Sequence, residues 1–260
     1  MADLSEKCRI GGYISVRTVL EAGTREVYGL LLDKKRMAKV KESAFHLPEK
    51  RQYAALERIT TARGIPVEYV TEEDFAACGG CDADGGIAAY VGNRCFSSDN
   101  EALEAPVPFT VLLDGIEDPY NFGYILRTLY AAGADWVVLP RRNFFTASEI
   151  VIRASAGASE LLRVAVTDDP ADFCRRASSA GCYIVSTANS KDAKNIFSVR
   201  LRPPVCLVIG GEKRGISKGV LEASDVTLKI KYARNCAFSL PAVSATSVIA
   251  FEVAQKLRLL

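Results

Sequence analysis

The chain has 260 residues, 49% of them hydrophobic and 25% charged, with a formal net charge of +2. That length accommodates two modest cores, and no stretch approaches the ~18 uninterrupted apolar residues of a membrane span, which excludes a membrane domain. Asp3, Glu6, Lys7 and Arg9 open the chain with no apolar run behind them, so no secretory leader is expected and the chain is expected in the cytoplasm.

In chain order, residues 27–32 read as a buried strand, 49–63 as a helix, Val67–Val70 as a strand and 86–91 as another: a small α/β domain. Lys34, Lys35, Arg36, Lys39 and Lys41 place five cations in eight residues, either a solvated face or a phosphate contact. Glu72, Glu73, Asp74, Asp82 and Asp84 make the following stretch acidic. Cys78 and Cys81 form C-G-G-C, but there is no second such pair and the one histidine is His46. A structural zinc site needs about four ligands, so no metal is expected. The eight cysteines read as reduced thiols, most of them small core residues.

Residues 97–108 are polar and carry two prolines, and they mark a domain boundary. Beyond them, apolar strands at 110–113, 136–139, 183–186, 205–209 and 226–230 alternate with helical segments, as βα units around a mostly parallel sheet do. Phe122, Ile125, Leu126 and Leu129 form one helical stripe with Arg127 off it, and 242–259 forms a second amphipathic helix through Thr246, Ile249, Ala250, Val253 and Leu257. There is no internal repeat.

Three segments carry candidate chemistry, each a strand running into a loop, where open α/β sheets bind ligands. L-D-G-I-E-D-P-Y-N-F-G-Y-I-L-R-T (113–128) contains Asn121, a helix N-cap or a polar site group, and Arg127, a solvated arginine or an acceptor contact. L-V-I-G-G-E-K-R-G-I-S (207–217) is a glycine-rich turn, but Gly215 is followed by Ile216 and no GxGxxG exists, which disfavours ATP and NAD sites. The third, 230–252, includes Ser239, either a cap for the last helix or a substrate contact.

Together these segments resemble the three motifs of the SpoU/TrmH family of RNA 2′-O-methyltransferases. Asp114, Asp118, Pro119, Asn121, Gly123, Arg127 and Thr128 match the first motif, and Gly210, Glu212, Gly215 and Ser217 the second, over about residues 109–258. G-G-Y-I-S-V-R-T-V-L-E-A-G (11–23) is similar to the opening of the family's ribosomal-protein-like substrate-binding domain. The resemblance implies an RNA-binding α/β domain over 1–96, a linker over 97–108 and a trefoil-knotted α/β methyltransferase domain, with helices on both sheet faces, over 109–260. It implies S-adenosylmethionine as cofactor, held by Ile209, Gly210, Gly211, Gly215, Ile230 and Leu240, with Asn121, Arg127, Glu212 and Ser239 as the catalytic set. The implied partners are structured RNA (rRNA or tRNA), contacted through Lys34, Lys35, Arg36, Lys39 and Lys41, and a second copy of the chain. No DNA is expected.

The third motif departs from the family pattern. Ser239 and Leu240 are followed by Pro241 and Ala242 where the family has asparagine, and Ile230, Lys231 and Tyr232 stand for Ile-Pro-Met. These changes leave a second reading open: a knotted RNA-binding dimer with weak or lost methyl transfer.

Overall fold

The computed structural model describes residues 7–42, 45–104, 107–141 and 148–260. In chain order these form β1 (Cys8–Gly11), α1 (Tyr13–Ala22), β2 (Val27–Asp33), α2 (Lys34–Glu42), α3 (Leu47–Arg63), β3 (Val67–Val70), α4 (Glu72–Ala77) and β4 (Ile87–Val91). There follow β5 (Ser97–Ser98), α5 (Asp99–Glu104), β6 (Phe109–Asp114), α6 (Pro119–Ala131), β7 (Trp136–Pro140), α7 (Ser148–Ala154), α8 (Ala158–Leu161) and β8 (Arg163–Thr167). The chain closes with α9 (Pro170–Ser179), β9 (Tyr183–Thr187), β10 (Lys194–Asn195), β11 (Val205–Gly210), α10 (Lys218–Glu222), β12 (Val226–Lys229) and α11 (Ala242–Lys256).

These elements make two compact units. The first takes the described residues of Met1–Cys95 and Ala147–Leu161, the second those of Phe96–Thr146 and Leu162–Leu260. Two differences from the expected boundaries follow. Residues 97–104 fold with the second unit: β5 pairs in parallel with β8, and α5 follows it directly. Helices α7 and α8, expected within the methyltransferase half, complete the first unit instead, because Ile152 is fully buried among Val16, Leu20, Leu30 and Leu56.

The first unit is a four-stranded mixed sheet in the order β1-β4-β2-β3, antiparallel except for the β2–β3 pair. Two buried charge clusters fasten α7 and α8 to it. Asp84, almost fully buried, takes hydrogen bonds from Arg9, Arg153 and the Cys81 amide, while Glu149 pairs with both arginines. Burial pushes the Asp84 carboxyl up, but the Arg9 hydrogen bond and the other donors outweigh it and hold the group below its ordinary value. At the second cluster Glu160 is 1% exposed and takes two hydrogen bonds from Arg25, at 3.0 and 3.2 Å, and one from Thr24, with Arg94 at 3.7 Å.

The second unit is an eight-stranded sheet in the order β10-β12-β9-β11-β6-β7-β8-β5, parallel at every pairing. Its central strands are continuous apolar runs because both faces are covered. β6 and β11 are buried along their length and open only at their last residues, Asp114 and Gly210, which lie opposite each other. Cys174 and Cys206 are wholly buried in this core and Cys182 packs against it. Burial pushes the Cys182 thiol up to about 12, and a hydrogen bond with Cys174, together with burial, raises Cys206 well above its usual value. These three are packing residues, whereas Cys78, Cys81 and Cys95 are exposed, so fewer of the eight cysteines sit in a core than the sequence suggests.

Glu160→Gln leaves the buried Arg25 and Arg94 without their carboxylate, and removing one partner from such a cluster costs about 3–5 kcal/mol. Amide hydrogen exchange should show that loss as reduced protection in α1 and β4, with β6 and β11 unaffected. Unchanged protection in the first unit would mean that the cluster does not hold α8.

Candidate active site

All three motif loops leave the sheet at the carboxyl ends of strands β6, β11 and β12. The first two leave side by side, since β6 and β11 pair in register up to Gly210 opposite Asp114. Beyond that pair the loops are stitched together: the Gly211 N–H donates to the Asp114 carbonyl at 2.9 Å, and the Ser217 N–H to the Asp114 side chain at 2.8 Å. The backbones run so close that a Cβ on Gly211 would lie 1.9 Å from the Gly115 carbonyl oxygen, and one on Gly210 2.6 Å from the Gly215 carbonyl carbon. Gly211 and Gly215 close a tight turn through an N–H to carbonyl bond of 2.9 Å, with Gly215 at φ +64°.

The helix after the first loop starts at Pro119. Its cap is Asp118, which accepts the Asn121 amide at 2.8 Å, so Asn121 is not the N-cap and its side chain is left for other work. Proline at the first helical position explains the choice, because it places the cap immediately before it. Arg127 is exposed on α6, and no hydrogen bond or ion pair among the described residues holds its guanidinium.

The third loop is tied to the second by Glu212, whose carboxylate accepts the Ala242 amide at 3.1 Å. The N-cap of α11 is Pro241, which has no side-chain acceptor to offer, and Ser239 lies two residues too early to cap. Glu212 therefore supplies the missing cap from another loop, and its charge faces the positive end of a 15-residue helix. Tyr232 does similar work upstream: its hydroxyl accepts the Leu240 amide at 2.9 Å. Helix α11 packs on α6, where the Thr128 and Ser247 hydroxyls meet at 3.4 Å.

The structure thus brings Gly210, Gly211, Gly215 and Glu212 together with Asp114 and the start of α11. Ile230 follows β12 directly, outside the strand expected to contain it, and Leu240 sits beside Tyr232. Ser239 is exposed on the same loop as Leu240. Two features escape a reading of the motifs alone. One is the Tyr232 contact. The other is a set of exposed cations on the second and third loops, Lys213, Arg214, Lys231 and Arg234, visible in sequence only as charges inside the motif segments.

Three of the five cations of α2 have carboxylate partners within their own unit. Lys35 pairs with Glu72 at 2.6 Å, Arg36 with Asp82 at 3.4 Å and Lys41 with Glu57 at 3.7 Å. The hydrogen bond to Glu72 raises the Lys35 ammonium above its ordinary value and holds Glu72 below its own. Lys34 and Lys39 are exposed.

Residues 108–251 match the model of the SpoU rRNA Methylase family, more than half of the chain. The chain belongs to the SpoU rRNA methylase family. Its sequence is similar to the 23S rRNA (guanosine-2′-O-)-methyltransferase RlmB of Xanthomonas campestris pv. campestris, 31% identical over 77% of this chain and 82% of the relative. Two solved methyltransferase structures share the fold. One is the AdoMet-bound rRNA methyltransferase from Sinorhizobium meliloti, with a TM-score of 0.77 at 24% identity over 98% of this chain and 89% of that one. The other is the SpoU methyltransferase AviRb from Streptomyces viridochromogenes in complex with AdoMet, with a TM-score of 0.73 at 22% identity over 98% and 92%.

Gly211→Ala forces the β6 and β11 loops apart and should destabilise the second unit by about 2–3 kcal/mol. Gly215→Asn should cost less than about 1 kcal/mol, since nothing lies within 4 Å of the added Cβ and asparagine tolerates positive φ. Denaturant unfolding followed by Trp136 fluorescence compares the two, and equal stability would refute the close approach.

Proposed function

We propose that this chain transfers the methyl group of AdoMet to a ribose 2′-hydroxyl of ribosomal RNA, and that it does so as a homodimer. The observation that carries the reading is the joining of the three SpoU motif loops at one end of the parallel sheet, through the Asp114–Gly211 and Glu212–Ala242 hydrogen bonds.

The loops suit AdoMet better than a nucleoside polyphosphate. They offer a glycine cradle that a Cβ would fill, with the apolar side chains of Ile209, Ile230 and Leu240, and they lack the Lys-Ser/Thr pair of a phosphate loop. AdoMet, when bound, supplies an electrophilic methyl group on a sulfonium. Ile209, Gly210, Gly211, Gly215, Ile230 and Leu240 would hold it through backbone groups and apolar contact. Glu212 keeps the third loop closed against the second.

A ribose hydroxyl is a weak nucleophile at neutral pH, so positioning the acceptor in line with the methyl group supplies much of the rate. Arg127 is assigned to the acceptor's phosphate: a guanidinium is a planar fork for phosphate oxygens and a poor base. Asn121 and Ser239 complete the polar shell around the acceptor. The family's trefoil knot is inferred for this chain from its family membership.

Dimerisation is inferred from the outer faces of α6 and α11, which pack on each other and still expose Tyr120, Tyr124, Tyr130, Val248 and Phe251. Apolar side chains grouped on neighbouring helices mark an association surface. Phe251→Glu should shift the protein to monomers in analytical ultracentrifugation, and an unchanged dimer would place the interface elsewhere.

Arg127→Ala should lower tritium transfer from labelled AdoMet to ribosomal RNA by about 100-fold, equivalent to about 2.7 kcal/mol, and leave the calorimetric affinity for AdoMet within about twofold. Equal loss of both would reassign Arg127 to cofactor binding. AdoMet binding by the unaltered chain without transfer to any RNA would favour the second reading, a binding dimer whose third motif, with Pro241 and Ala242 after Leu240, lacks the family's asparagine.

A further inference from the structure

The first unit carries a groove of about 460 Å³ between α1 and α3, lined by Tyr13, Arg17, Leu47, Arg51 and Arg58 among others. Arg51 and Arg58 stand seven residues apart on one face of α3, roughly 10 Å along the helix axis. Both are exposed, and neither has a hydrogen-bond or ion-pair partner among the described residues. Arg17 pairs with Glu21 at 2.8 Å and also donates to the Tyr13 hydroxyl at 3.3 Å, with its guanidinium 5.8 Å from the Tyr13 ring centre. The one acid on the wall is thus already matched, and two positive charges remain uncompensated. Leu47, 54% exposed, adds apolar surface at the rim.

Helix α2 presents five cations, of which Lys35, Arg36 and Lys41 face carboxylates of the same unit, so Lys34 and Lys39 leave it two uncompensated charges, as many as the groove, with no aromatic ring of its own beside them. A polyanion approaching α2 meets two free lysines among three cations already matched by carboxylates. At the groove it meets unpaired arginines beside an aromatic ring.

We infer that the α1–α3 groove is the RNA-binding surface of the first unit, taking a single-stranded segment with phosphates on Arg51 and Arg58 and a base against Tyr13 and Leu47. Free guanidinium groups supply phosphate contacts, and an aromatic face supplies stacking that tolerates any base. The inference rests on the reading of the chain as an RNA methyltransferase and adds a second binding site, remote in sequence from the motif loops.

The test compares the unaltered protein with Arg51→Gln/Arg58→Gln and with Lys34→Gln/Lys39→Gln. The probe is a mixed-sequence single-stranded 20-mer oligoribonucleotide, titrated by fluorescence anisotropy across a salt series; AdoMet affinity and transfer to ribosomal RNA are measured on the same preparations. All four positions are exposed, so the folds should survive, as matching thermal midpoints would verify. The expected result for Arg51→Gln/Arg58→Gln is RNA affinity reduced about tenfold, a log–log salt slope shallower by about 1.4, a raised KM for RNA and unchanged AdoMet affinity. The Lys34→Gln/Lys39→Gln protein should bind RNA almost as the unaltered one does. The inference is overturned if the arginine pair leaves affinity and slope unchanged while the lysine pair reduces them. In that case the methyltransferase reading stands as long as transfer persists. If the unaltered protein binds no RNA and transfers no methyl group, both fall together.

Discussion

Between the Gly211 backbone and the Gly115 carbonyl there is no room for a methyl group, and at that contact two parallel strands turn into a binding site. β6 and β11 are buried up to their last residues, Asp114 and Gly210, which emerge in register. Strand ends expose N–H and C=O groups that must find partners. Here Asp114 serves twice, its carbonyl for Gly211 and its carboxylate for Ser217. The second loop is therefore fixed by the first, and the third is fixed by the second through Glu212.

The third loop shows how a departure from a family pattern is absorbed. A proline before α11 removes a side-chain acceptor at a helix start, where orphan N–H groups need one. Glu212 provides it, from the loop that also holds the glycine turn. The Leu240 amide is taken by the Tyr232 hydroxyl, a side chain that stands where the family has methionine. The two departures, at Tyr232 and Pro241, lie within one hydrogen-bonded unit of backbone, so they are better understood as one change in how the loop is held.

The second unit was legible because parallel strands buried on both faces read as apolar runs: the strands at 110–113, 136–139 and 205–209 each lie within an observed strand, short by a residue or two. The glycines and acids of the motifs were legible for the same reason, each following directly on such a run. What stayed hidden depends on pairs distant in sequence. Asp118 and Asn121 are both competent caps, and the proline between them decides. The cations of α2 read as a free patch because Glu57, Glu72 and Asp82 lie 16 to 46 residues away, on or near other elements. Val151 and Ile152 read as apolar in any register, and nothing local says which core receives them. β8 follows a helix pair that belongs to the other unit, which breaks the βα rhythm on which the boundaries were drawn.

The chain enters the first unit twice, and the ribosome makes it only once. Arg25 waits 135 residues for the carboxylate that neutralises it, and Asp84 waits 69 for Arg153. At synthesis rates of ≈5–20 residues per second, the longer wait is on the order of ten seconds. During it β6, α6 and β7 are made, while the space for Ile152 stays open and two arginines lack their counter-ion. The first unit, though first to emerge, is completed only after the second has begun, and the nascent chain carries an unfinished N-terminal core through the interval in which chaperones would meet it.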